Sequence, residues 1–117
     1  MDLNIDVIEK QDESIVYLSG EIDLYTAPDI KETVLPLTKK QAYCIQVDLD
    51  GVHYMDSTGL GVFISLLKSS KEHDSHLKIV NVQEQVFRLF EITGLNSIID
   101  VHSKPRSEVK WWAALIL

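Results

Sequence analysis

The stretch Ile45-Gln46-Val47-Asp48-Leu49-Asp50-Gly51-Val52-His53-Tyr54-Met55-Asp56-Ser57-Thr58-Gly59-Leu60-Gly61-Val62-Phe63-Ile64-Ser65-Leu66-Leu67 changes its period halfway along. Ile45, Val47 and Leu49 alternate with Gln46 and Asp48, the period-two signature of a strand. Gly51 to Asp56 reads as a connection. From Thr58 to Glu72 the pattern becomes helical, and Leu60 to Leu67 is apolar nearly all round. A helix of that kind is buried on most sides. A strand leading into a buried helix is the building unit of an α/β domain.

The flanks repeat the theme. Leu3, Ile5 and Val7 alternate with polar residues, Glu9 to Glu13 turns the chain, and Ile15 to Leu18 forms a second strand ending at Gly20. The short connection predicts an opening hairpin. Thr26-Ala27-Pro28-Asp29 reads as a helix start, with threonine as cap, proline in the first turn and an aspartate at the positive dipole end. That helix carries Ile30, Val34 and Leu37 inward, and Pro36 is expected to kink or end it. His73 to His76 turns into a fourth strand, Leu77 to Val80. A third helix carries Val86, Phe87, Leu89 and Phe90, and Gly94 stands where a left-handed cap belongs. Ile98 to Val101 is a fifth strand, and after Pro105 the stripe Val109, Trp112, Ala113, Ile116 predicts a last helix. The expectation is one α/β domain over residues 1–117: a mixed sheet opened by a hairpin, with about four helices packed largely on one side.

Composition narrows the function classes. Eleven basic against eighteen acidic residues leave a formal charge of -7, which disfavours nucleic acid and anionic membranes and favours basic protein partners. Cys44 is the single cysteine, so no internal disulfide forms and a reducing, cytoplasmic setting is expected. The N-terminus has no signal-peptide pattern, and no apolar run approaches the roughly 20 residues of a membrane span. Trp111, Leu115 and Leu117 fall outside the last helix's stripe, which leaves a weak homodimer contact open.

The chemistry-bearing segment is Tyr54 to Gly61. Ser57 lies where the free N–H groups and positive end of the buried helix begin. Gly59 and Gly61 lighten the same turn, so another molecule can approach the backbone closely. The plainer reading is an N-capping serine with packing glycines. Asp56-Ser57-Thr58-Gly59 is one residue too long for an aspartic-protease signature. Ile64 stands where a dinucleotide fingerprint needs its third glycine, and Ser65-Leu66-Leu67-Lys68 lacks its companion β-lactamase motifs. His73 and His76 flank a turn without further metal ligands, and no catalytic set assembles around His53, His102 or Cys44. Neither a cofactor nor an enzymatic activity is expected.

Gly20-Glu21-Ile22-Asp23, Thr26-Ala27-Pro28, Met55-Asp56-Ser57-Thr58-Gly59-Leu60-Gly61 and Arg88-Leu89-Phe90-Glu91-Ile92-Thr93-Gly94-Leu95 stand in an order and spacing that resembles the STAS-domain anti-sigma-factor antagonists, most closely the RsbV type. The resemblance spans nearly the whole chain and leaves the tryptophan-rich ending unmatched. It implies that Ser57 is the serine phosphorylated by the anti-sigma factor, an RsbW-like serine kinase. The unphosphorylated protein binds that kinase and frees the sigma factor, and a serine phosphatase of the PP2C type resets the switch. It further implies a partner-binding surface of Asp23, Tyr25, Thr26, Ala27, Pro28, Met55, Asp56, Thr58, Gly59, Leu60 and Gly61. The alternatives are a STAS-type ligand- or nucleotide-sensing scaffold subunit and, last, a small hydrolase built on Asp56 and Ser57.

Overall fold

In the computed structural model, residues 2–105 are described. The elements are β1 (Leu3–Glu9), β2 (Glu13–Ile22), α1 (Ala27–Thr38), β3 (Cys44–Met55), α2 (Ser57–Glu72), β4 (His76–Val82), α3 (Glu84–Ile92), a 3-10 turn (Leu95–Ser97) and β5 (Asp100–Ser103). The strands form one sheet in sequence order. β1 and β2 make the antiparallel hairpin, and every later neighbour pairs in parallel. The fold class is the expected one, with three α-helices among the described residues. The anticipated fourth helix, with the apolar excess that suggested a dimer, lies outside them.

Alternation along β2 and β3 decides where the core sits. Val16 and Leu18 of β2 and Ile45, Val47 and Leu49 of β3 are fully or almost fully buried. Their neighbours Tyr17 and Gln46 face the opposite, more open side. On the core face α1 buries Ile30, Val34 and Leu37, α2 buries Leu60, Val62, Phe63 and Leu66, and α3 buries Val86 and Phe90. Phe63 and Phe90 meet with ring centroids 6.0 Å apart and tilted by 56°, a favoured aromatic geometry. That contact fastens α3 to α2.

Gly51 to Asp56 is not a connection. β3 runs through Gly51 to Met55, pairing with β2 as far as Ile22 and Met55. Gly51 looks like a breaker in sequence, but its bare Cα is a packing requirement. A Cβ there would stand 2.7 Å from the Ser19 hydroxyl oxygen. β2 likewise continues past Gly20, whose φ of +124° sits at a bulge with a register shift before Glu21. A Cβ at Gly20 would lie 2.1 Å from the Asp2 carbonyl oxygen. β4 leaves β3 after the Asp48–Val80 pair. Beyond that point the side-chain amides of Gln83 and Gln85 donate to the Asp50 and His53 carbonyls at 2.6 and 3.4 Å.

The two ends of α1 compare differently with expectation. α1 passes through Pro36 and stops within a turn of it, at Thr38. Thr26 precedes α1 but does not cap it. Its hydroxyl donates to the Glu21 carbonyl at 2.8 Å and accepts the Asp23 N–H at 2.9 Å, closing the loop before the helix. Gly94 takes the expected left-handed conformation, φ +76°.

Candidate functional site

Because β2 and β3 are parallel neighbours, the loops leaving their C-terminal ends lie side by side. The Asp56 N–H donates to the Ile22 carbonyl at 3.2 Å and ties the Asp23 loop to the start of α2.

The helix start is organised around Asp56. It occupies the N-cap with extended backbone angles, and its Oδ1 accepts the N–H groups of Thr58 at 2.9 Å and Gly59 at 3.4 Å. The sequence suggested Ser57 as the capping residue in the plainer reading, but the cap is Asp56. Aspartate is as good a cap as serine and adds a charge favourable to the dipole. Ser57, the first helical residue, is exposed, and its hydroxyl is left out of the capping pattern.

The neighbouring loop is closed by Asp23. Its carboxylate accepts N–H bonds from Tyr25 at 2.9 Å and Thr26 at 3.0 Å, and its carbonyl accepts from Ala27 at 2.9 Å. The side chain is only 8% exposed. Burial alone pushes the carboxyl group up, but the bonds from the Thr26 and Tyr25 N–H groups and the Thr26 hydroxyl outweigh it and hold Asp23 below the ordinary aspartate value.

The residues expected at the partner surface divide into two groups. Tyr25, Pro28, Ser57 and Gly61 are exposed, and Asp56 and Thr58 partly so. Asp23, Thr26, Ala27, Met55, Gly59 and Leu60 are buried, so they shape the surface from beneath. The glycines differ in the same way. A Cβ at Gly59 would stand 2.5 Å from Met55 Cγ and 2.7 Å from Ile22 Cγ2, whereas one at Gly61 would meet nothing within 4 Å. The expectation that both open the turn to another molecule therefore holds only for Gly61; Gly59 lets α2 sit down on β2 and β3.

Two exposed apolar side chains beside this surface escaped the sequence reading: Leu24 at 63% exposure and Ile64 at 44%. Leu24, flanking Tyr25 at 73% exposure, is a bulky residue in a loop outside any periodic stripe. That was its one sequence signal. Ile64 was hidden by a run read as apolar all round, though it lies seven residues from Ser57 on the same helix face.

The histidines serve other ends. His73 Nδ1 is 2.8 Å from the Ser69 carbonyl at the close of α2. His76 and His102 flank Asp100 at 2.8 and 2.6 Å on the sheet edge. Among the described residues no three His, Cys, Asp or Glu side chains converge as a metal site, and no helix there is long and apolar enough to cross a membrane.

Comparison with known proteins agrees with this geometry. The sequence pattern of the STAS domain matches residues 4–108. The anti-sigma-B factor antagonist of Bacillus subtilis (strain 168) is 42% identical over 110 residues, 94% of this chain and 100% of that protein. Two solved structures share the fold. An anti-sigma factor antagonist from Mycobacterium paratuberculosis superposes with a TM-score of 0.76 at 20% identity, covering 99% of this chain and 96% of that one. The Bacillus cell fate determinant SpoIIAA in its phosphorylated form gives 0.67 at 15% identity, covering 96% and 99%. With its Asp56-capped helix and an exposed Ser57 beside the Asp23 loop, the chain belongs to the STAS-domain family, among the anti-sigma-factor antagonists.

Proposed function

We propose that the unphosphorylated chain binds an anti-sigma factor that is also a serine kinase, releasing its sigma factor, and that phosphorylation of Ser57 switches the binding off. The carrying observation is the exposed Ser57 hydroxyl at the first position of α2, relieved of capping by Asp56 and adjoining the Asp23 loop. The binding surface is the exposed and partly exposed group around Ser57, namely Tyr25, Pro28, Asp56, Thr58 and Gly61, extended by Leu24 and Ile64. The reading places the protein in the cytoplasm, with a PP2C-type phosphatase as the resetting partner and no catalysis of its own.

The switch needs only local charge. A phosphoryl group brings about -1.5 to -2 charge units. The N–H groups of Thr58 and Gly59 that would cradle it already bond Asp56, so the new charge stands beside an existing carboxylate. Enclosing it in an interface without a cation costs several kcal/mol, and about 4 kcal/mol weakens binding about a thousandfold. The fold itself need not change. The test is intact mass after incubation with ATP and the cognate anti-sigma factor. A gain of one phosphate, absent in Ser57→Ala, is expected; no gain, or a gain that persists in Ser57→Ala, refutes the reading.

A further inference from the structure

The chain as a whole is acidic, yet the outer face between α1 and α2 is not. A groove of about 470 Å³ runs between the two helices, with Leu35, Ser65 and Ser69 among its lining and Lys31, Lys39 and Lys68 around it. The Thr38 and Ser69 hydroxyls, 2.7 Å apart, hold the helices together there. All three lysines are exposed. Among the described residues none has a carboxylate within 4.0 Å, although Lys40, Arg88 and Lys104 each find one. Glu72, one turn beyond Lys68, lines the same groove without forming an ion pair to it.

A line of exposed residues along α2 joins this cationic groove to the surface around Ser57. α1 and α2 follow parallel strands, so both start at the Ser57 end. Ser57, Gly61, Ile64 and Lys68 are all exposed along α2 at intervals of four, three and four residues, the spacing of one helix face. Lys31 and Lys39 stand eight residues apart on α1, roughly 12 Å along its axis. That is a little over two turns of a facing helix, so side chains at i, i+3 or i+4, and i+7 or i+8 of one segment would reach all three lysines.

We propose that this groove is the second half of the partner surface and receives an acidic segment of the anti-sigma factor. The inference rests on the proposed function. The apolar and small residues near Ser57 provide the fit that phosphorylation spoils. The lysines provide attraction and register from a distance, which raises association rate and specificity more than it raises raw affinity. The partner surface is thereby assigned acidic chemistry at this end, opposite to what the chain's net charge suggests.

The test compares the full-length protein with Lys31→Gln/Lys39→Gln/Lys68→Gln, and with the single reversal Lys68→Glu, by calorimetric titration against the cognate anti-sigma factor at low and high salt. The triple variant is expected to bind about tenfold more weakly at low salt, with the difference closing as salt screens the charges. Phosphorylation of Ser57 should still abolish its remaining binding. Equal affinities and equal salt slopes for the wild type and both variants overturn the groove proposal while leaving the Ser57 reading intact. A wild type that fails to bind the anti-sigma factor at all brings down both. If pyrophosphate alone raises the melting temperature of the free wild type but not of the triple variant, the groove holds a small anion and the docking proposal is wrong.

Discussion

At the level of single residues, Asp56 takes the capping role that the plainer reading gave to Ser57. The carboxylate caps the helix and the hydroxyl is left exposed. Ser57→Ala should therefore melt within about 0.5 kcal/mol of the wild type, as ordinary surface substitutions do, yet bind the kinase permanently. Ser57→Asp should melt similarly and bind poorly, and equal binding by both variants would exclude charge as the cause. Asp56→Ala should lose about 1 kcal/mol of stability through the missing cap, measurable by chemical denaturation. Asp23 is a structural residue of its loop, so Asp23→Ala should lower the melting temperature, because the Tyr25 and Thr26 N–H groups lose their acceptor. Its pH dependence follows from the direction of its shift. A carboxyl group held below its unfolded value of about 3.9 stabilises the fold above that pH. The contribution is lost as pH falls through the lower folded value. Asp100 acts in the same sense: burial pushes it up, and hydrogen bonds from His76 and His102 more than reverse this. Melting temperature should therefore fall below about pH 4, and less steeply in Asp23→Asn/Asp100→Asn.

Among the elements, α2 separates glycine as packing from glycine as surface. Gly59→Ala drives a methyl group into Met55 and Ile22 and should cost about 1–3 kcal/mol by overpacking. Gly61→Ala meets open space and should stabilise the helix by about 0.5–1 kcal/mol. If Gly61 lies in the partner surface, the same substitution weakens kinase binding while raising the melting temperature. Both readouts come from one purified variant. The sequence could not tell these glycines apart, because three-dimensional neighbours from β2 and β3 decide which one is crowded. Periodicity did place the core residues of β2 and β3, the inward stripe of α1, and Val86 and Phe90 of α3, while cap chemistry placed the left-handed Gly94. Periodicity put the last strand at Ile98 to Val101, whereas β5 runs Asp100–Ser103. It misjudged β3 because Gly51 carries the local signature of a turn, and only the partner strand's Ser19 shows why glycine belongs there. Thr26 was misread for a related reason. Its hydroxyl serves the Glu21 carbonyl five residues back, a bond that closes the preceding loop instead of capping the helix.

Across the whole molecule, the motif between β3 and α2 pointed to a serine that the fold leaves exposed at a helix start, whereas the net charge misled about the electrostatics of the surface. A sum of -7 does not reveal that lysines from two helices gather along one groove. That arrangement depends on which helix faces lie side by side, and α1 and α2 are adjacent only because β2 and β3 are parallel neighbours. The proposed docking set could be written from sequence only as a list of positions, not as a surface. About half of it lies under the skin of the molecule, and Leu24 and Ile64 emerge only once the chain is folded.

The two glutamines after β4 have a consequence for solubility. Where β4 diverges, the far half of β3 would present bare carbonyls along an unpaired edge, a template on which another extended chain could add itself. Gln83 and Gln85 stand in for the missing strand by offering amide protons from the start of α3. Replacing both with leucine would remove those donors and add apolar bulk beside the bared edge. The resulting protein should keep its fold and its switch in dilute solution, yet form sheet-rich aggregates on concentration or gentle warming.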